Sequence, residues 1–142
     1  MRFETLKDLQ NEYEAISIFC DEYELSCRKL DENDIDFELI KDGQIIGFAE
    51  VKGRNKTIEE AYPLPIAVRK LVKLMDKKTN PIIIWKCYDG IIYGKLEKLK
   101  GQIRVGGRIP RENSVNDIEL MAYFDRSKEL IEKKIKKKIV AY

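Results

Sequence analysis

Between Asp34 and Arg54 the chain reads DIDFELIKDGQIIGFAEVKGR, a run that a β-hairpin accommodates and a helix does not. Asp42-Gly43 is a turn pair that tolerates left-handed backbone, and apolar residues alternate with polar ones beside it. Side chains alternate across a strand, so Glu50 and Lys52 share one face while Val51 points to the other. Register decides what joins them. A two-residue loop setting Lys41 opposite Gln44 would part Asp36 from Glu50. A three-residue loop, Lys41-Asp42-Gly43 with Gly43 left-handed, sets Ile40 opposite Gln44, and positions of like parity then share a face. One side becomes Ile35, Phe37, Leu39, Ile45, Gly47, Ala49 and Val51; the other carries Asp34, Asp36, Glu38, Glu50 and Lys52. Only this parity gives the hairpin a clean buried side, so we expect the three-residue loop or an equivalent bulge.

The same parity gathers two carboxylates and an ammonium group on one surface. That is the pattern of a divalent-metal site with a cation beside it, suited to phosphodiester hydrolysis. The competing reading is an ordinary solvated strand face. In a chain that is 37% charged an acid-x-Lys triplet arises cheaply, and Glu132-Lys133-Lys134 repeats it. Position favours the first reading, because the acids lie at the end of the hairpin away from its turn.

Composition narrows the chemistry. The chain contains no histidine, which removes His-based acid/base work, Ser-His and Cys-His nucleophiles, and His-ligated metal. Cys20, Cys27 and Cys87 show no paired metal spacing and are expected as free, buried thiols. At 142 residues the length suits one domain, with a core over about 1–100 and an extension over about 101–142. No apolar run approaches membrane-spanning length and the N-terminus is acidic, which points to the cytoplasm. The net charge of +2 hides an asymmetry: residues 1–40 hold 12 acids and 4 bases, and the remainder holds 13 acids and 23 bases. Such a distribution suits a polyanionic partner, although clustered lysines also serve solubility.

Around the hairpin, Phe3, Leu6, Leu9, Tyr13, Ile16 and Cys20 step by three and four, predicting an amphipathic helix to about Tyr23. A strand is expected near Glu24–Leu30. Pro63 and Pro65 stand where a helix can begin, with Ile66, Leu71, Leu74 and Met75 continuing it to about Lys78. A second hairpin turns at Asp89-Gly90, its first arm apolar enough to be a central strand. Residues 101–117 read as loop, Ile118–Phe124 as a strand, and Ser127 to about Val140 as a final helix striped by Ile131, Ile135 and Ile139. The order α-β-β-β-α-β-β plus a C-terminal helix predicts an α/β (α+β) domain, a mixed sheet flanked by helices.

Helix, three strands with Asp36 on the second and Glu50-x-Lys52 on the third, then helix and strand: over about residues 8–88 this resembles the PD-(D/E)XK nuclease superfamily, with its restriction-endonuclease-like fold. Many members add a glutamate from the first helix, for which Glu12 matches best, in the manner of the Holliday-junction-resolvase branch, with Glu14 in reserve. Two departures stand out. Ile35 replaces the proline that often precedes the first acid, and the helix after Lys52 offers Arg69, Lys70 and Lys73 where an exonuclease-type subset has a glutamine. The second hairpin and the Gly106-Gly107-Arg108-x-x-Arg111 stretch also resemble small nucleases encoded by bacteriophages.

The resemblance implies an endodeoxyribonuclease using Mg²⁺, or Mn²⁺ in its place. Asp36 and Glu50 would ligate the metal with the Val51 carbonyl and Glu12, and Lys52 would act electrostatically, since neighbouring carboxylates oppose the fall in pKa that a basic role requires. Arg54, Lys56, Arg69, Lys73, Arg104, Arg108 and Arg111 are the candidate DNA contacts. A subunit this small would cut both strands most readily as a homodimer. Two alternatives remain: an inactive nucleic-acid-binding or assembly protein on the same fold, and an unrelated interaction module whose acids are surface dressing.

Overall fold

A computed structural model describes residues 6–31, 35–77, 79–107 and 118–135. Two helices and nine strands are assigned there: α1 (Leu6–Tyr23), β1 (Ser26–Lys29), β2 (Phe37–Lys41), β3 (Gln44–Gly53), β4 (Leu64–Ala67), α2 (Val68–Met75), β5 (Pro81–Cys87), β6 (Gly90–Lys95), β7 (Gln102–Gly107), β8 (Ile118–Phe124) and β9 (Ile131–Lys134). A six-stranded sheet runs β1-β2-β3-β5-β6-β9, and a three-stranded sheet runs β4-β8-β7. The β3–β5 pair is parallel and every other pairing is antiparallel. This is the mixed α+β, restriction-endonuclease-like architecture expected from the sequence.

Two apolar cores sandwich the large sheet. On one face Ala15, Ile16, Phe19 and Cys20 of α1 pack onto Phe37, Leu39, Ala49, Val51, Ile82, Ile84, Ile91 and Tyr93. On the other, Ile83, Trp85 and Ile92 meet Leu74 of α2 together with Leu64, Ile66, Ala122 and Phe124 of the small sheet. β5 is therefore covered on both faces, as its continuous apolar run requires. Cys20 and Cys87 are buried and Cys27 half-buried, all as free thiols.

Of the two closures expected for the first hairpin, the structure takes the bulge, with the expected parity. Lys41 pairs with Gln44, and Asp42 (φ 51°) and Gly43 (φ 76°) form a two-residue, doubly left-handed turn. A bulge then intervenes, because Ile40 pairs with Ile45 while Leu39 pairs with Gly47. The extra residue, Ile46, restores the parity that the turn alone would have reversed. Ile35 departs from its expected side: the chain bends at Asp36, and Ile35 enters the core beneath α2.

Four other expectations need correction. Leu64–Ala67 is a strand paired with β8, so α2 begins only at Val68. Residues 102–107, expected as loop, form β7 against β8. The second hairpin turns at Tyr88-Asp89, with Cys87 opposite Gly90. The C-terminal helix expected from Ser127 is absent from its described part; Ile131–Lys134 is β9, an edge strand on β6. Ile131 and Ile135, read as a helical stripe, are both partly exposed, and β9 instead satisfies the open edge of β6. Arg108 and Arg111 lie outside the described residues.

Candidate active site

The fork where β2 leaves β3 is closed by side chains in place of a backbone ladder. Regular pairing ends at Phe37 and Ala49. One step further, the Asp36 backbone N–H donates to Glu50 Oε2 at 3.2 Å, and the Val51 N–H donates to Asp36 Oδ2 at 2.8 Å. Each acid thus anchors to the backbone of the strand opposite it. A strand residue directs its N–H and C=O to the same side, so the Val51 carbonyl faces this fork as well. Asp36 and Glu50 are 9% and 3% exposed, so both carboxylates sit in surroundings where charge is costly.

Two lysines meet the pair directly, and a third, Lys52, follows on β3. Lys29 of β1 donates to Glu12 Oε2 at 2.5 Å and lies 3.6 Å from Asp36 Oδ1. Lys70 of α2 lies 3.2 Å from Glu50 Oε1. Lys52 is half-buried two residues beyond Glu50, beside Trp85 in the parallel register. Lys29 and Lys70 are the residues that sequence reasoning failed to place. Lys70 was visible only as one of three cations on a helix. Lys29 needed the β1–β2 register, which pairs it with Phe37 and brings its ammonium over that ring at 5.1 Å.

The other candidates divide clearly. Glu12 comes to the site through Lys29, whereas Glu14 is turned away toward Lys86 at 3.7 Å. Glu38 is buried and ion-paired with Arg28. Arg54 donates through Nε to the Ala61 carbonyl at 2.9 Å, holding the connection after β3. Lys56 and Lys73 are exposed, and Arg69 pairs with Glu119 at 3.0 Å on the surface. Arg104 is exposed on β7 and stacks over Tyr123 at 4.2 Å from the ring centre.

Burial raises the Glu50 carboxyl above the ordinary value of 4.5, and the Asp36 charge raises it further, with Lys70 opposing both. A folded carboxyl with a raised pKa takes up its proton before the unfolded one does. The metal-free protein should therefore gain stability, relative to Glu50→Gln, as pH falls from the elevated value toward 4.5. Urea midpoints measured across that window check this; parallel curves for the two proteins would contradict it.

These donors fit a hard divalent cation. Two buried carboxylates and one backbone carbonyl offer oxygen alone, and a cation would relieve the cost of holding two like charges together. Glu12, bonded to Lys29, stands one step outward. Among the described residues no group of three or more His, Cys, Asp or Glu gathers closely enough to hold a metal by side chains alone, so the carbonyl and water would complete its shell. Among those residues, too, no helix is long and apolar enough to cross a membrane.

No curated protein and no solved structure matches this sequence. A family model described as "Phage putative PDDEXK endonuclease" matches residues 1–130, spanning both cores and the Asp36/Glu50/Lys52 fork. By this match over most of its length, the chain belongs to that PDDEXK endonuclease family.

Proposed function

We propose that this chain is a metal-dependent endodeoxyribonuclease that hydrolyses phosphodiester bonds at the fork between β2 and β3. The observation that supports the reading is the reciprocal anchoring of Asp36 and Glu50, which holds the two acids together at the backbone of Val51, one residue before Lys52 on the same strand. Asp36, Glu50 and Val51 would hold Mg²⁺ or Mn²⁺. Such an ion supplies Lewis acidity and neutralises charge developing on the scissile phosphate.

The chain's own residues supply the rest. Lys52 faces the side on which Lys70 meets Glu50, placed to stabilise the extra negative charge of the transition state while remaining protonated among acids. Glu12 positions Lys29 against Asp36. Exposed Lys56, Lys73 and Arg104, with Arg69 and Arg54 once partly released from their present bonds, are the candidate phosphate contacts. Arg108 and Arg111 remain candidates on sequence alone. Two copies would supply the two sites that cutting a duplex requires, and a cytoplasmic setting fits the free thiols.

Incubation of supercoiled plasmid with the protein should give nicked or linear DNA in Mg²⁺ or Mn²⁺ and none in excess EDTA. A second reading, an inactive nucleic-acid-binding protein on this fold, draws on the lysines that already neutralise both acids. Metal-independent DNA binding with no cleavage under any condition would favour it.

A further inference from the structure

Two lysines supply positive charge at the acids on which the metal reading depends. They approach from opposite faces. Lys29 lies over the Phe37 ring, on the side packed by α1, and Lys70 belongs to α2, which covers the other side. They are also held differently. Lys29 contacts two carboxylates, Glu12 and Asp36, so it keeps a partner if Asp36 turns to another cation. Lys70 comes from the first turn of α2 with its side chain 25% exposed and meets Glu50, whose side chain is 4% exposed. Its neighbour Arg69 is drawn away to Glu119 on the surface. Charges this poorly solvated interact more strongly than a surface ion pair.

We propose that Lys70 is a built-in counter-cation of the acid pair: a divalent metal displaces it from Glu50, and it then engages a substrate phosphate, so that metal and DNA bind cooperatively. The inference rests on the metal-dependent reading above. A carboxylate shared with an ammonium group binds a metal less tightly than one that is free of it. A phosphodiester competes for the same ammonium group, and so releases the carboxylate. The metal, by taking Glu50, frees the lysine for phosphate. The two ligands must therefore favour each other by the same factor. The four-carbon stem of lysine allows the movement without displacing α2.

Mn²⁺ binding without DNA, followed by the electron-paramagnetic-resonance signal of the free ion, tests this on wild type, Lys70→Met and Lys70→Arg. Lys70→Met should bind Mn²⁺ about tenfold more tightly than wild type, within the usual range of such couplings. Lys70→Arg, which keeps the charge, should stay near wild type. In EDTA, Lys70→Met should bind a mixed-sequence duplex more weakly, with its salt dependence reduced by about one counterion. Should Lys70→Met fail to fold, Lys70→Gln retains a donor for Glu50 without charge and carries the same expected signs. Mn²⁺ affinity unchanged or weakened in the uncharged variant overturns the proposal. If neither wild type nor variant binds Mn²⁺, the metal-dependent reading falls with it. If wild type binds Mn²⁺ and cleaves while the variant's affinity is unaltered, the counter-cation role alone falls.

Discussion

Replacing Asp36 by Asn, or Lys52 by Ala, should lower Mg²⁺-dependent cleavage of duplex DNA by about 10³-fold, the cost of losing one preorganised electrostatic group in a partly desolvated site. The two changes act on different parts of the fork. Asparagine keeps an oxygen able to accept the Val51 N–H, so the closure of β2 onto β3 survives. What it loses is the negative charge that would hold the cation and that now attracts Lys29. Lys52→Ala leaves both acids and their backbone anchors in place, so metal binding should survive while turnover falls. Plasmid cleavage, with circular dichroism as a check on folding, separates loss of chemistry from loss of structure. Cleavage by either variant within tenfold of wild type would move the site elsewhere.

Trp85→Ala should remove about 4 kcal/mol of stability, a large share of what a domain of this size possesses. Trp85 is fully buried on the central strand β5, where it joins the two sheets. Its Nε1–H donates to the Pro65 carbonyl of β4 at 2.8 Å, and its ring meets Phe124 of β8 edge-on at 5.9 Å. Alanine would leave a cavity between the sheets and a carbonyl without its donor. Trp85→Phe should cost less, because it keeps most of the packing and forfeits the hydrogen bond. The chain has one tryptophan, so urea unfolding must be followed by circular dichroism instead of intrinsic indole fluorescence. A loss under about 1 kcal/mol for the alanine variant would mean that the small sheet does not depend on this contact.

Much of the fork was legible because it depends on parity. The need for one buried hairpin face ruled out an unbroken two-residue register, and the bulge at Ile46 satisfies that need by a route other than the longer loop. Glu12 was preferred to Glu14 only by resemblance, with Glu14 in reserve. In the structure the register of β1 against β2 brings Lys29 to Glu12, whereas Glu14 meets Lys86.

The errors share a cause. β4 is short, and Leu64–Ala67 runs straight into a helix, so helical signals at Pro63 and Pro65 obscured the strand. Ile131–Lys134 carries a period equally at home in a helix. Its strand conformation follows from the unpaired edge of β6 and from the space that Gly90 leaves, where a Cβ would lie 2.0 Å from the Lys133 carbonyl oxygen.

Alternation, turn chemistry and the lack of histidine by themselves determined that two acids and a lysine would share a hairpin, that β5 would be central, and that histidine chemistry is excluded. These are local properties, set by a period of two residues and by side-chain chemistry. Only the tertiary structure decided which cations meet those acids, that Asp36 and Glu50 are anchored through each other's strands, and that a second sheet closes over Trp85. Those contacts join residues distant in sequence, and no local periodicity encodes which distant partners a side chain will find.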